Sequence, residues 1–186
     1  MTRAVFLIGF MGAGKSSVGR ALAEQLGWTF EDLDERIERR ERRKVAEIFR
    51  ESGESEFRRA EHAALRELSQ ELSAGAERIV ALGGGACVQK RNARLVEVGG
   101  VPTVFLDASV EELWLRCKQQ TEQEGMERPL LGSLKDFRDL YETRKPHYLK
   151  ASFRQETGGK TVERIAAELV QALRLDGRRR RRGREQ

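Results

Sequence analysis

Residues 9–16 read Gly9-Phe10-Met11-Gly12-Ala13-Gly14-Lys15-Ser16, and this stretch decides the fold of the 186-residue chain. It fits the pattern G-x-x-x-x-G-K-[ST], the Walker A motif. The apolar run from Ala4 to Ile8 precedes it, and a helical pattern from Lys15 to Leu26 follows it. A strand, a glycine loop and a helix in this order turn backbone N–H groups and a positive helix end toward bound phosphates. The sequence therefore predicts a nucleotide phosphate site at this loop.

The residue types of the loop suit the phosphates of a nucleotide. Glycine adopts positive φ and lets the backbone approach a ligand closely. Lys15 carries the charge that neutralises β- and γ-phosphate oxygens, and Ser16 offers a hydroxyl to Mg²⁺, an ion that prefers oxygen ligands. The expected nucleotide contacts are Gly12, Ala13, Gly14, Lys15, Ser16 and Ser17.

Predicted strands and helices alternate along the rest of the chain. Further strands are expected at residues 28–30, 78–82, 103–106 and 152–155. Helices are expected in a charged stretch that reaches residue 72 and is punctuated by Gly53, and at residues 93–98, 110–119, 136–148 and 162–175. Because parallel neighbouring strands need helical crossovers, this order predicts an α/β fold of three layers around a central parallel sheet of about five strands. Residues 1–176 are expected to form a single domain.

Two segments read as loop or tail. The polar section at about 120–133 contains two glycines and a proline and is a candidate lid. Lys and Arg number 35 against 30 Asp and Glu, but the tail from Arg178 to Gln186 holds six Arg and one Glu, and without it 29 basic residues face 29 acidic ones. Blocks of like charge are usually solvated. Residues 177–186 are therefore expected to be a disordered Arg-rich tail, and no specific nucleic-acid partner is expected.

Membrane, secreted and disulfide-rich proteins are disfavoured. No apolar run approaches the roughly 18 residues of a membrane helix, and the first residues lack the pattern of a secretory signal. Cys87 and Cys117 lie thirty positions apart without a CxxC pair, which gives a disulfide framework or a structural zinc site little support. We expect a cytoplasmic protein with two reduced thiols and no membrane partner.

Six short motifs stand in an order that resembles the shikimate kinase family. They are the phosphate loop, Asp32-Leu33-Asp34, Phe57-Arg58 with Glu61, Gly83-Gly84-Gly85-Ala86, Arg128-Pro129-Leu130-Leu131 and Arg144-Lys145-Pro146-His147-Tyr148. The resemblance covers about residues 4–175, and the ordered set is more specific than any one motif. It implies a P-loop fold of the nucleoside monophosphate kinase type with a lid. It also implies a monomer that uses ATP and Mg²⁺ to phosphorylate the 3-hydroxyl of shikimate, giving shikimate 3-phosphate and ADP for aromatic amino acid biosynthesis.

The resemblance further implies roles for single residues. Arg58 and Arg144 would bind the carboxylate of shikimate, since a planar guanidinium makes paired hydrogen bonds. Asp34 would hold the ring hydroxyls and act as general base, and Asp32 would join Ser16 in holding Mg²⁺ through water. The implied substrate contacts are Asp34, Arg58, Gly83, Gly84, Gly85 and Arg144, in a section whose helices span about residues 32–61. The implied catalytic residues are Lys15, Asp34 and Arg128, and Arg128 in the lid would also contact ATP.

Taken singly, these residues have plainer interpretations. Arg58 in a charged helix is typical of a solvated or ion-paired side chain, and Arg144 near a helix end is typical of a dipole partner. An Asp at the start of a helix is often an N-cap, and a glycine run often marks a tight turn. Leu113, Trp114 and Tyr141 are interpreted as core residues, and adenine contacts in the stretches 118–121 and 157–160 are left unassigned.

Two other functions stay open at the level of the residues. A different small-molecule kinase, such as one for gluconate, would share Lys15 and Ser16 but would need no paired carboxylate clamp. A non-catalytic nucleotide sensor or a nucleic-acid-binding module would use the tail from Arg178 to Arg184 as a weak polyanion contact. Such a module needs no acceptor pocket, so the presence of the arginine and aspartate set favours a kinase.

Overall fold

The computed structural model describes residues 3–124 and 133–175. Its five strands are β1 (Ala4–Ile8), β2 (Thr29–Asp32), β3 (Arg78–Ala81), β4 (Thr103–Asp107) and β5 (Phe153–Glu156). They form one parallel sheet in the order β2-β3-β1-β4-β5. The predicted α/β fold with a five-stranded parallel sheet is confirmed.

Seven helices cover the two faces of this sheet within the described ranges. They are α1 (Lys15–Leu26), α2 (Leu33–Glu41), α3 (Val45–Ser73), α4 (Lys90–Val98), α5 (Val110–Glu124), α6 (Leu134–Tyr148) and α7 (Val162–Ala172). Both faces of β1 and β4 are buried at every position. This burial explains why both strands read as continuous apolar runs instead of an alternating pattern.

Several predicted boundaries shift in the structure. β2 lies at Thr29–Asp32 instead of residues 28–30, because its ladder to β3 extends to Asp32 opposite Ala81. α5 continues to Glu124 beyond the predicted end at residue 119, since the sequence contains good helix formers until Gly125. α7 ends at Ala172, three residues early. The remainder of the predicted lid, including Arg128, and the Arg-rich tail lie outside the described residues.

Gly53 bends the long helix α3, as its punctuating role predicted. The residue has φ 78° and ψ 174°, a conformation that separates two helical pieces and that glycine adopts at low cost. The bend brings the ring of Phe49 to 4.5 Å from that of Phe57, centroid to centroid. The first piece of α3 therefore folds over the carboxyl edge of the sheet instead of running away from it.

Of the three residues predicted to lie in the core, two are buried in the structure. Leu113 and Tyr141 are buried, while Trp114 is half-buried and packs edge-on against Phe137. Tyr141 also donates to Asp107 Oδ1 at 3.1 Å, which satisfies its buried hydroxyl. None of the helices in residues 3–124 and 133–175 is long and apolar enough to cross a membrane.

Candidate active site

The phosphate loop joins the end of β1 to the start of α1 at the carboxyl edge of the sheet. Gly12 and Gly14 have φ of 78° and 82°, which only glycine adopts without strain. A Cβ on Gly12 would lie 2.7 Å from the carbonyl oxygen of Leu113. The backbone of the loop thus packs directly against α5, and its shape depends on glycine.

Lys15 is held over the loop by its own backbone. Its Nζ donates to the carbonyl oxygens of Gly9 and Phe10, at 2.9 Å each. These bonds place a positive charge over the loop that is predicted to bind phosphate. The ammonium also lies close enough to Asp34 to lower the pKa of that carboxyl group.

Asp32 joins the phosphate loop to helix α2. Its Oδ1 accepts the backbone N–H of Asp34 at 3.0 Å and caps the helix, while its Oδ2 accepts the Ser16 hydroxyl at 2.9 Å. The N-cap interpretation of Asp32 is confirmed at Oδ1, and its metal role stays a prediction for which Oδ2, beside the Ser16 hydroxyl, is the available oxygen. A hydroxyl beside a carboxylate suits Mg²⁺, which keeps several waters and takes few protein ligands besides phosphate oxygens.

A cavity of about 390 Å³ opens beside the loop and collects most of the predicted site residues. Its lining includes Gly12, Gly14, Lys15, Ser16, Ser17, Asp32, Asp34, Arg58, Gly84, Gly85 and Arg144. These side chains come from the ends of β1, β2 and β3 and from helices that flank them. The carboxyl edge of a parallel sheet is where doubly wound proteins bind ligands. Ala13 is instead buried within the loop and does not line the cavity.

Asp34 is the most perturbed carboxyl group of this cavity. Its Oδ1 is buried and has no hydrogen-bond partner among the described residues. Burial, together with the negative charges of Asp32 and Glu61, raises the pKa of Asp34 to about 6, while the charge of Lys15 opposes the change. A carboxyl group with a pKa near neutrality and an unused oxygen is suited to accept a proton from a hydroxyl group.

Arg58 and Arg144 face the same buried carboxylate, that of Glu61. Arg58 Nη1 donates to both Glu61 oxygens at 3.2 Å, and its Nε and Nη2 donate to Glu54 at 3.1 and 3.0 Å. Burial raises the pKa of Glu61, while the charges of Arg58 and Arg144 oppose that change. The two guanidinium groups thus lie near one another at the cavity, and Arg58 is the ion-paired residue, not the solvated one, of the two alternatives that its charged helix suggests.

The glycine run after β3 lies against three functional side chains. A Cβ on Gly83 would lie 3.0 Å from Asp34 Oδ1, one on Gly84 3.5 Å from an Arg144 nitrogen, and one on Gly85 2.9 Å from two Arg58 nitrogens. The Tyr148 hydroxyl donates to the carbonyl oxygen of Gly84 and anchors the run from α6. Gly84 and Gly85 therefore form part of the cavity wall, while Gly83 lies against Asp34 without lining the cavity.

Residues missing from the predicted site set also line or border the cavity. Glu61 is 1% exposed, and two signals were available for it: its place in the motif with Phe57 and Arg58, and its position on the apolar stripe of α3. Phe49 and Phe57 add an aromatic wall, which only the bend at Gly53 brings together. Arg116 donates to the carbonyl oxygen of Gly12 at 3.5 Å and contacts Thr157 at 3.4 Å. It thus links the phosphate loop to the segment after β5, a contact that no local sequence pattern predicts.

A parallel sheet with a phosphate loop and a cavity at its carboxyl edge is the arrangement of a P-loop kinase that acts on a small molecule. Comparison with protein families gives a match to the family described as shikimate kinase over residues 11–174. The chain belongs to the shikimate kinase family.

Individual relatives agree with this membership. The shikimate kinase of Persephonella marina is 38% identical over 173 residues, which cover 92% of this chain and 99% of that protein. The shikimate kinase of Geobacter metallireducens is 41% identical, with 90% of each chain covered. The solved structure of Acinetobacter baumannii shikimate kinase in complex with shikimate superimposes with a TM-score of 0.81 at 33% identity and 93% coverage of both chains.

Proposed function

We propose that this chain transfers the γ-phosphoryl group of ATP to the 3-hydroxyl of shikimate, giving shikimate 3-phosphate and ADP. The observation that carries the proposal is the buried, unpartnered Oδ1 of Asp34, which lies in one cavity with Lys15 and two guanidinium groups. A proton acceptor, a phosphate-neutralising cation and a carboxylate clamp are the groups that this reaction uses. Membership in the family supports the same reaction.

In the proposed complex, Arg58 and Arg144 bind the acceptor carboxylate. Both already face the buried negative charge of Glu61, so their charges are directed toward one region of the cavity. Arg144 also stacks near Phe10, with 5.7 Å from its guanidinium carbon to the ring centroid, which limits its freedom. The glycine run lets the ring of the acceptor approach Asp34.

In the proposed reaction, Asp34 accepts the proton that the attacking hydroxyl loses as its oxygen bonds to the γ-phosphorus. The bond from that phosphorus to the β,γ-bridging oxygen breaks, and ADP leaves. Because phosphoryl transfer is a loose process, positioning and charge neutralisation contribute most. Lys15 and the loop backbone neutralise phosphate oxygens, and Arg128 is assigned the closing contact by resemblance. Ser16 and Asp32 are the residues that would hold Mg²⁺, which would supply additional positive charge beside the phosphates.

The adenine end of the nucleotide is assigned to the junction that Arg116 bridges. Arg116 contacts the phosphate loop at Gly12 and the segment after β5 at Thr157, and it pairs with Glu112 at 2.6 Å. A planar guanidinium at this junction offers a stacking surface for a base. This assignment extends the proposed nucleotide site from the predicted loop to the stretch at 157–160.

The proposal includes three general features of the protein. Residues 1–176 act as one monomeric domain, nucleic acid is not a specific partner, and the enzyme works in the cytoplasm. The two cysteines are free and buried, which fits a reducing compartment.

We expect ADP release from MgATP to depend on shikimate. Purified protein is assayed with a coupled spectroscopic readout and with shikimate, gluconate, a nucleoside monophosphate or no acceptor in parallel. Turnover with another acceptor alone would contradict the assignment of the substrate. ADP release at the same rate with and without any acceptor would instead favour a nucleotide sensor or a simple ATPase.

Arg58→Lys is expected to raise the KM for shikimate by about tenfold or more, because a lysine loses paired hydrogen bonds to a carboxylate. The KM for ATP is expected to stay within about twofold. The matched control is Arg59→Lys, since Arg59 is the exposed neighbour and pairs only with Glu56 among the described contacts. Equal losses for both substrates would show that the change disturbs the fold instead of the clamp.

A further inference from the structure

A series of hydrogen-bonded polar groups runs behind the carboxylate clamp, with Glu61 and Asn92 buried and Arg58 and His62 half-buried. Asn92 is 1% exposed, and its Nδ2 donates to Glu61 Oε2 at 3.2 Å. His62 Nδ1 lies 2.8 Å from Asn92 Oδ1. These contacts form one continuous series, which links helix α3 to helix α4 and runs through Arg58, Glu61, Asn92 and His62.

The donor and acceptor roles along this series follow from chemistry. Glu61 faces Arg58 through both oxygens, so as a carboxylate it only accepts. Asn92 must then present its NH₂ group to Glu61 and its carbonyl oxygen to His62. His62 completes the series by donating its Nδ1–H, which fixes both the Asn92 amide and the tautomer of the ring.

Glu61 needs such a support because it is almost completely buried. A buried carboxylate is stable only when its oxygens are hydrogen-bonded and paired. Arg58 supplies one side, but Arg58 is also the residue that the acceptor must engage. A neutral amide on the opposite side holds Glu61 in place without competing for the guanidinium.

We infer that Asn92, oriented by His62, is a positioning residue that holds Glu61 in the rotamer that aims Arg58 at the acceptor carboxylate. The inference rests on the proposed function, because its readout is the affinity for shikimate. Asn92 touches neither cavity nor substrate and acts only through Glu61. Its effect is specific to the acceptor half of the site, since no described contact links it to the phosphate loop.

The test compares Asn92→Leu with Val96→Ala. Leucine keeps the branched four-atom skeleton of asparagine but has no amide, so the KM for shikimate is expected to rise about tenfold, as for loss of a hydrogen bond to a charged group. The KM for ATP is expected to stay within about twofold. Val96 lies one turn further along α4, is buried and lines no part of the clamp, so Val96→Ala lowers the melting temperature without changing either KM.

Two further variants distinguish positioning from simple packing. His62→Phe keeps a ring but removes Nδ1, and it is expected to raise the KM for shikimate in the same direction by a smaller factor. In a Glu61→Gln background, Asn92→Leu is expected to change the KM for shikimate by less than about twofold, because the carboxylate that it supports is gone. His62→Phe also provides the answer if Asn92→Leu does not fold.

Three results would overturn the inference. One is a folded Asn92→Leu or His62→Phe enzyme whose KM for shikimate equals that of the wild type. The second is an equal rise in the KM for ATP and for shikimate, and the third is an undiminished effect in the Glu61→Gln background. Wild-type turnover is measured first. A wild-type protein that is inactive with shikimate would contradict the proposed function itself. An active wild type whose KM for shikimate does not change in Asn92→Leu would contradict only this inference.

Discussion

Asp34→Asn is expected to lower kcat by roughly 10²–10⁴-fold, the range that loss of a positioned general base gives. Asparagine keeps the size of the side chain but cannot take the proton of the attacking hydroxyl. The matched control is Glu35→Gln, which removes one negative charge from the same turn of α2 at an exposed residue paired with Arg20. A kcat within about threefold of wild type for Asp34→Asn would show that this carboxyl group is no base.

The pH dependence of the wild type follows from the same group. Burial, Asp32 and Glu61 raise the pKa of Asp34 to about 6, and only the deprotonated form accepts a proton. We therefore expect kcat/KM to fall about tenfold per pH unit below pH 6 and to level off above it. Asp34→Asn is expected to lose this acid limb.

Asp34→Asn is also expected to make the protein more stable at neutral pH. The folded-state pKa lies above the ordinary value of 3.8, so the unfolded chain loses this proton first and stability falls as pH rises from about 4 to 6. Above pH 6 the penalty is complete and amounts to about 3 kcal/mol, which the neutral amide avoids. Urea unfolding of both proteins at pH 7.5 and pH 4 measures the difference in their free energies of unfolding. This difference should be smaller at pH 4.

Lys15→Met is expected to lower kcat by roughly 10²–10³-fold, as for loss of one group that stabilises developing charge. The ammonium is held by the carbonyl oxygens of Gly9 and Phe10 in a position that faces phosphate. Lys150→Met, at an exposed residue outside the cavity, is the control for loss of a positive charge. Unchanged turnover in Lys15→Met would show that Lys15 does not contribute to the reaction.

A second readout of Lys15→Met separates its electrostatic effect from a disturbed loop. Lys15 lowers the pKa of Asp34, so its removal is expected to raise that pKa and shift the acid limb of the residual activity to higher pH. A loop that merely lost its shape would bind ATP poorly without this shift. An acid limb that stays in place with intact ATP binding would contradict the contact between the two groups.

The local parts of this protein were readable from its sequence. The phosphate loop is announced by glycine spacing, and its position between β1 and α1 follows from two short hydrophobic patterns. Strand and helix alternation predicted the parallel sheet, because the connections between parallel strands leave few other topologies. The bounds of β2, α5 and α7 were less accurate, since ladder partners and tertiary packing decide where an element ends.

The acceptor half of the site was readable only through resemblance. Arg58, taken alone, is one of many charged residues in α3, and nothing local distinguishes it from Arg59. Its pairing with Glu61 is a local i,i+3 contact, but the place of Glu61 in the interior depends on α4, from which Asn92 donates to it across distant parts of the chain. The glycine run likewise reads as a turn until Asp34, Arg58 and Arg144 are placed against it.

The sequence by itself determined the phosphate loop, the α/β class and the residues that line up with the family's motifs, because each depends on residue types and on their spacing and order along the chain. Tertiary structure alone decided that Asp34 is left with an unpartnered oxygen, that Glu61 is buried between two arginines, and that Asn92 stands behind it. These properties arise from burial and from the electrostatic field of several segments. Neither quantity exists until the sheet brings those segments to one edge.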